Sequence, residues 1–417
     1  MRKKINTLFF MLMIPIISFA QEELLPINAE ANIIKNAASL NPFFERLSKS
    51  QDSIVSIFHF GDSHIQADFF TGEIRKQMQL QFGNAGRGLV FPYQLISTNG
   101  PKDYAFKSKQ SWDTKKLIKS NSTASCGLAG YSFLLDPNKR NWFLDFTFKE
   151  DSNFINNHTK TIQFLYEAAG EEPEISAYDA VSLSYAKLLN RKKVNGLIKD
   201  SFVFSEPIKQ IDINIHRVDQ EPVMLDGIIL SNGEKGVIYH AVGVNGAKFC
   251  QYNQAPKFFE ELDMLRPDLV VISLGTNESA GDYDSLLFIQ TIDSLVQYIQ
   301  SLGSNVLITT PANNFLPHKT YKYIKRKGKK RRVTLKVYEH NEIVKLIKDN
   351  ILAYCDSRQI ACWDLYEVMG GDYSMKAWVD AGKGAKDYLH FSKGGYVVQG
   401  KLFYDALSAA YLKHISK

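Results

Sequence analysis

The fold of this chain is decided by the segment Ile54-Val55-Ser56-Ile57-Phe58-His59-Phe60-Gly61-Asp62-Ser63-His64. Its first seven residues are mostly apolar and β-branched or aromatic, which is typical of a buried strand. Apolar residues then recur four apart, at Phe70, Ile74 and Met78, and this spacing predicts a helix. Ser63 is therefore expected on a strand-to-helix turn at the carboxyl edge of a parallel sheet, close to the N–H groups that open the helix.

A late acid–base pair can activate Ser63. Asp387 and His390 are three residues apart in Asp387-Tyr388-Leu389-His390, so a single turn can direct both side chains to the same side. A serine hydroxyl is a weak nucleophile until a histidine takes its proton, and a carboxylate fixes the tautomer of that histidine. We therefore predict a catalytic triad of Ser63, Asp387 and His390, which is the chemistry of a serine esterase.

Two further polar segments follow predicted strands. The apolar run 269–274 leads to Asn277, and the run 237–242 leads to Gly246. The carboxyl ends of parallel strands lie at one edge of a sheet, so both residues are expected beside Ser63. We predict an oxyanion hole formed by the backbone N–H groups of Ser63 and Gly246 and by the side-chain amide of Asn277.

Together these segments resemble the four blocks of the SGNH (GDSL-type) hydrolase family. The matching residues, in chain order, are Gly61-Asp62-Ser63, Gly243-Val244-Asn245-Gly246, Gly275-Thr276-Asn277 and Asp387-Tyr388-Leu389-His390. The longer first block, from Gly61 to Gly72, and a long insertion before the second block are most similar to bacterial peptidoglycan O-acetylesterases. In those enzymes the insertion is a β-rich, carbohydrate-module-like domain, and the resemblance implies the same arrangement here.

The remainder of the hydrolase region alternates strands and helices. Runs 306–310 and 360–363 are further predicted strands, and helices are predicted over 256–265, 287–302 and 337–352. This alternation predicts the α/β class, with a doubly wound parallel sheet of about five strands.

The stretch 99–232 has a different pattern. Short, often alternating strands such as 142–148 and 211–215 are separated by polar turns, which indicates an inserted β-sandwich. Its aromatic residues Trp112, Trp142 and Tyr166 are expected either to stack on sugars or to lie in the core. The predicted domains are a signal peptide over 1–20, a first hydrolase part over 21–98, the β-rich insert over 99–232 and a second hydrolase part over 233–417.

The N-terminus predicts export. Basic residues precede the apolar stretch 8–17, and Ser18-Phe19-Ala20 offers the small residues that a signal peptidase reads, so cleavage is expected after Ala20. The mature protein is then periplasmic or secreted. The apolar stretch is too short for a comfortable membrane span, although an uncleaved N-terminal anchor is the alternative.

Cysteine and histidine usage indicates neither a disulfide scaffold nor a metal site. The chain has four cysteines and nine histidines, without zinc-ligand spacing, and the triad needs no metal or cofactor. Cys355 and Cys362 either pair or remain buried free thiols. His64, next to the predicted nucleophile, is expected either to contact substrate or to be a structural residue at the helix start.

A basic stretch lies between His318 and Val333, and it contains no acidic residue. Export argues against a nucleic-acid partner and favours an anionic glycan, while the alternative is a solvated loop that only sets the net charge of +6. The candidate substrate-binding cations are Lys329, Lys330, Arg331 and Arg332.

The sequence therefore predicts an exported carbohydrate O-acetylesterase that acts on a cell-wall polymer, above all peptidoglycan. Four alternatives remain open: an esterase of hemicellulose, a lipid acyl-hydrolase, a glycan O-acetyltransferase that uses the same acyl-enzyme, and a glycan-binding protein without catalysis. The sequence does not determine the oligomeric state.

Overall fold

The computed structural model describes residues 25–121, 123–150, 157–326 and 329–416. The predicted signal peptide, 1–20, lies outside these residues. In the part of the chain that is described, no helix is both long and apolar enough to cross a membrane.

A six-stranded sheet forms the centre of the hydrolase region. Its strands, in spatial order, are Ile34–Lys35, Ala361–Trp363, Asn305–Thr309, Leu269–Ser273, Ile54–Gly61 and Gly236–Gly243. The last five are mutually parallel, and the short Ile34–Lys35 pairs antiparallel at one edge. The sequence predicted about five strands, and each of the five apolar runs that it used lies in this sheet.

Helices cover both faces of the central sheet. Adjacent strand residues such as Val270 and Val271 point into two different hydrophobic clusters. One cluster includes Ile292 and Ile347 from helices on one face, and the other includes Phe70 and Phe403 from helices on the opposite face. The sheet is therefore doubly wound. The helices are Asn41–Leu47, Ser63–Gln66, Phe69–Phe82, Phe249–Asn253, Pro256–Leu265, Ser285–Ser301, Glu342–Arg358, Leu365–Val368, Ser374–Asp380 and Lys393–Ile415.

The β-rich region between the first and second blocks contains two antiparallel sheets. The larger has strands Lys187–Val194, Leu197–Ile208, Thr159–Ala168, Val223–Ser231, Tyr131–Leu134 and Asp113–Lys116, with Gly88–Val90 also paired to Val223–Ser231. The smaller has Tyr104–Lys107, Asn141–Phe148, Gln210–His216 and Glu174–Asp179. Residues from both sheets belong to one hydrophobic cluster.

The edges of this β-rich region differ in one respect from the sequence pattern. Gly88–Val90 joins the larger sheet although it precedes residue 99, where the insert was predicted to begin.

Trp112, Trp142 and Tyr166 are all buried, so these three rings belong to the core instead of a sugar-binding surface. The domain division and the carbohydrate-module likeness stay predictions.

The basic stretch lies in a two-stranded antiparallel hairpin, Phe315–Arg326 with Lys329–His340, which we call the basic hairpin. The helix predicted over 337–352 is therefore wrong at its start. The strand runs to His340, and the helix begins at Glu342 because Asn341 caps it, accepting from the N–H of Ile343 at 3.2 Å.

Buried ion pairs join the β-rich region to the helices of the hydrolase region. The guanidinium of Arg87 lies between Asp103, at 2.5 Å, and Asp68, at 2.8 Å. At a separate point, Lys257 Nζ lies 2.9 Å from Asp226 Oδ2. These side chains are almost fully buried, so each charge depends on its partner for compensation.

Candidate active site

Ser63 lies at the turn that the sequence predicted. The strand Ile54–Gly61 ends between two parallel neighbours, and Ser63 is the first residue of the short helix Ser63–Gln66. A side chain at Gly61 would place its Cβ 2.3 Å from the carbonyl oxygen of Ser273, so the close approach of these strands requires glycine. Asp62 caps the helix, since its Oδ1 accepts from the N–H of His64 at 2.9 Å.

The late acid–base pair meets Ser63 across the carboxyl edge of the sheet. Ser63 Oγ is 2.9 Å from His390 Nε2, and His390 Nδ1 is 2.8 Å from Asp387 Oδ2. The second carboxylate oxygen, Asp387 Oδ1, accepts the backbone N–H groups of Leu389 and His390, both at 3.0 Å. Tyr388 has a positive φ of 56°, which gives the tight turn that brings the two side chains together. The three predicted triad residues thus form one continuous chain of hydrogen bonds.

The charges of the hydrogen-bonded triad allow His390 to act as a general base. The hydrogen bond to Asp387 raises the pKa of His390, and the same bond lowers the pKa of Asp387 well below its ordinary value. Asp387 therefore stays ionised and orients the imidazole, which leaves Nε2 as the nitrogen that faces Ser63. Burial raises the pKa of the nearby Asp62 to about 6.

An open cleft of about 570 Å³ lies beside the serine hydroxyl. Ser63, Gly246, Asn277 and His390 line it, together with Asn99 from the chain that leads into the β-rich region. Gly246 has a φ of 86°, a conformation that favours glycine. The structure therefore brings all three predicted oxyanion-hole residues to one cleft.

The amide of Asn277 has two acceptors in this structure. Its Nδ2 donates to the carbonyl oxygen of Ala247 at 3.0 Å and, at a longer 3.3 Å, to Asp62 Oδ2. The contact with Ala247 ties Asn277 to the residue after Gly246. The longer contact with Asp62 is the weaker of the two, and an oxyanion in the cleft would compete for that hydrogen.

Gln66 is a site residue to which the sequence analysis assigned no role. It is buried, and its Oε1 accepts the N–H of Asn245 at 2.7 Å and the hydroxyl of Tyr131 at 3.0 Å. Its Nε2 donates to the carbonyl oxygen of Asn99 at 2.7 Å. Gln66 therefore joins the nucleophile helix, the Gly246 loop and the β-rich region. The sequence offered one sign of this role: Gln66 is a polar residue between the apolar Ile65 and Ala67, three positions after Ser63.

His64 does not line the cleft. Its Nδ1 is 3.0 Å from the hydroxyl of Tyr396, and its Nε2 has no hydrogen-bond partner among the described residues. It contributes instead to a separate small cavity of about 30 Å³, and burial lowers its pKa to about 3. Of the two predicted roles, the geometry favours the structural one over contact with substrate.

The predicted substrate-binding cations lie on the basic hairpin. Lys329, Lys330, Arg331 and Arg332 are exposed there, outside the cleft residues. The base of the hairpin contacts the catalytic turn, because the N–H of Phe315 donates to the carbonyl oxygen of Tyr388 at 3.0 Å.

The side chains that could hold a metal ion or form a disulfide are found as follows. Within residues 25–121, 123–150, 157–326 and 329–416, no group of three or more His, Cys, Asp or Glu side chains is placed to hold a metal ion. Cys355 and Cys362 are buried free thiols in this structure.

Comparison with known proteins agrees with this geometry. Residues 229–398 match the family model of the GDSL-like lipases and acylhydrolases, which confirms the predicted resemblance to SGNH (GDSL-type) hydrolases. The matched range includes Gly246, Asn277, Asp387 and His390, while Ser63 lies before it, on the other side of the β-rich region. A search of curated proteins finds no match.

One solved structure shows the same fold over nearly the whole chain. A peptidoglycan O-acetylesterase is similar with a TM-score of 0.69 and 21% identity, over 94% of this chain and 99% of that chain, so the likeness includes the β-rich region. An acetyl xylan esterase is 18% identical over 41% of this chain and 80% of its own, with a TM-score of 0.31. A GDSL-like lipase from Bacteroides thetaiotaomicron is 19% identical over 42% of this chain and 76% of its own, with a TM-score of 0.30.

Proposed function

Because the chain is a carboxylic ester hydrolase related to the GDSL-like acylhydrolases, we propose that it is an exported serine esterase that removes O-acetyl groups from a cell-wall glycan, with peptidoglycan as the preferred substrate. The observation that carries this proposal is the hydrogen-bonded chain from Ser63 through His390 to Asp387 at the edge of an open cleft. Such a chain supplies the nucleophile, base and orienting carboxylate that acyl transfer needs.

The proposed reaction has two halves. Ser63 Oγ attacks the acetyl carbonyl carbon while His390 Nε2 takes the hydroxyl proton, and Asn277 with the N–H groups of Ser63 and Gly246 stabilises the oxyanion. His390 then returns the proton to the sugar oxygen as the C–O bond breaks, which leaves acetyl-Ser63. A water molecule, deprotonated by His390, attacks this ester. As the second tetrahedral intermediate collapses, the bond from the acetyl carbon to Ser63 Oγ breaks, His390 returns the proton to that oxygen, and acetate is released.

Two features support a polymeric acetyl ester as the substrate. The cleft beside Ser63 is open, so an acetyl group on a long polymer can reach the serine hydroxyl while the rest of the polymer stays outside the protein. The solved structure that is similar over nearly the whole chain, β-rich region included, is a peptidoglycan O-acetylesterase. A fold likeness of this kind supports the choice of substrate by analogy.

The decisive assay measures acetate release from purified O-acetylated sacculi, acetylated xylan and a long-chain ester. We expect release from sacculi, retention of amide-linked N-acetyl groups, and little turnover of the long-chain ester. A Ser63→Ala protein with an unchanged circular-dichroism spectrum is the control, and it should release no acetate above background. Activity on xylan alone would replace peptidoglycan by another polysaccharide, and capture of the acetyl group by a sugar hydroxyl would make the enzyme a transferase.

Export is part of the proposal and has its own test. Residues 1–20 have the basic start, apolar stretch and small residues of a cleavable signal. We expect the protein recovered from the periplasm or medium to begin at Gln21. A full-length N-terminus on protein retained with the membrane would instead support the uncleaved anchor.

A further inference from the structure

The basic hairpin leaves the fold directly at the catalytic turn. Besides the hydrogen bond from Phe315 to Tyr388, the rings of these two residues are 5.6 Å apart, and the ring of Tyr338 lies 4.9 Å from that of Tyr388. Tyr388 stands two residues before His390. A ligand bound along the face of the hairpin that carries Phe315 and Tyr338 would therefore extend towards the catalytic triad.

The strand register sorts the hairpin side chains into two faces. Cross-strand partners point to the same side, and successive residues in one strand point to opposite sides. The face that includes Phe315 and Tyr338, which we call the tyrosine face, carries Lys319, Tyr321, Tyr323, Lys325, Lys330, Arg332 and Lys336. The opposite face carries His318, Lys322, Ile324, Lys329, Arg331, Val333 and Glu339.

Like charges are placed directly opposite each other on the tyrosine face. Lys319 pairs with Lys336 and Lys325 pairs with Lys330, an arrangement that destabilises an antiparallel ladder. No carboxylate lies on this face, and among the described residues none forms an ion pair with its lysines or with Arg332. The carboxylate of the hairpin, Glu339, lies on the opposite face, where its Oε2 is 3.6 Å from His318 Nε2. Binding of a polyanion would relieve the repulsion between these facing lysines.

Exposed aromatic rings lie among these cations. Tyr321 is 50% exposed and Tyr323 is 64% exposed, and the guanidinium of Arg332 lies 4.1 Å above the ring of Tyr321. A flat ring can pack against the C–H groups of a sugar while neighbouring cations meet carboxylates. An isolated two-stranded hairpin is marginally stable in water, so a bound strand of ligand would also stabilise it.

We propose that the tyrosine face of the basic hairpin binds a carboxylate-bearing glycan strand and delivers its acetyl esters to Ser63. This inference rests on the proposed function only in taking that strand to be the substrate.

Two matched triple variants test the proposal. Lys325→Gln/Lys330→Gln/Arg332→Gln removes three positive charges from the tyrosine face, and Lys322→Gln/Lys329→Gln/Arg331→Gln removes three from the opposite face. Binding is measured by co-sedimentation of the full chain, in a Ser63→Ala background, with O-acetylated sacculi and with the same sacculi after amidation of their carboxylates.

We expect the tyrosine-face variant to bind native sacculi at least about tenfold more weakly, and the opposite-face variant to stay within about twofold of the parent. Amidated sacculi should bind all three proteins weakly and equally. Salt should reduce the difference between the variants, because exposed charges are screened over about 10 Å at 0.1 M. With Ser63 intact, both triple variants should hydrolyse a small neutral acetate ester at the parental rate.

Several results would overturn the proposal: equal losses on both faces, no loss on either, or a loss that persists on amidated sacculi. A preference of the tyrosine face for DNA or anionic lipid vesicles over sacculi would also overturn it. Face-dependent binding without acetate release from sacculi by the active protein would refute the proposed function and leave the binding surface standing.

Discussion

Gln66 is the residue through which the fold positions the predicted oxyanion hole. Its Oε1 holds the N–H of Asn245, the residue before Gly246, at 2.7 Å. The substitution Gln66→Ala removes this contact and the 2.7 Å bond to the carbonyl of Asn99, without altering the chemistry of Ser63. The variant therefore tests whether the Gly246 loop must be held in place for catalysis.

The expected magnitude follows from the groups that lose a partner. Each buried polar group left without a hydrogen bond costs about 1–3 kcal/mol, so loss of the shared acceptor by the N–H of Asn245 and by the hydroxyl of Tyr131 should lower the free energy of unfolding by about 2–6 kcal/mol. Direct removal of an oxyanion donor lowers kcat by about a hundredfold to a thousandfold. Gln66 acts through Asn245 instead, so we expect kcat to fall by about tenfold to a hundredfold, with little change in KM.

The assay is steady-state turnover of a small activated acetate ester, together with thermal unfolding of the same preparation. Tyr131→Phe is the matched control, because it removes the other donor to Gln66 Oε1, at 3.0 Å, and leaves the Asn245 contact in place. It should lower stability while kcat stays within about twofold of the parent. Wild-type kcat in folded Gln66→Ala, or an equal loss of kcat in Tyr131→Phe, would refute the positioning role.

Three further predictions concern the reacting groups. Ser63→Ala and His390→Ala should each lower kcat on an acetate ester by about a thousandfold or more, and near-normal turnover in either folded variant would reject the serine mechanism. Asn277→Ala should lower kcat by about a hundredfold, or about 3 kcal/mol, with KM nearly constant, whereas a rise in KM alone would make it a binding residue. Protonated His390 cannot act as a base, and its pKa is raised above the ordinary 6.5, so kcat/KM should rise with pH through a value above 6.5. Asp387→Asn should lower turnover, and it should move this rise in kcat/KM to lower pH because the bond that raises the pKa of His390 is lost. A rise at an unchanged pH would assign the titration to another group, such as Asp62.

The central sheet and the triad were predictable because local sequence determines them. A parallel strand buried on both faces needs a mostly apolar run, and such runs at 54–60 and 269–274 lead directly into Ser63 and Asn277. Asp387 and His390 are close in sequence, so one turn positions both side chains. Their meeting with Ser63 follows from the rule that parallel strands present their carboxyl ends at one edge.

The parts that were not predictable depend on contacts between distant segments. Val337 and Tyr338 fit the apolar spacing of the following helix, yet the strand partners Pro317 and His318 hold them in the basic hairpin. Gly88–Val90 joins the larger β-sheet through residues more than a hundred positions away, so local pattern could not assign it. The role of Gln66 likewise depends on partners from three separate segments.

The β-rich region is part of the active-site framework and not a detachable module. It supplies Tyr131 to the Gln66 network, and its Asp103 and Asp226 compensate the buried cations Arg87 and Lys257. Removal of one partner from a buried ion pair costs about 3–5 kcal/mol, and two such losses approach the whole stability of a typical domain, about 5–15 kcal/mol. A chain without residues 99–232 would also expose the apolar surface that the region shares with the hydrolase region, and it would lose Tyr131 from the Gln66 network. For this reason, substitutions on exposed faces separate polymer binding from catalysis more cleanly than deletion of the region can.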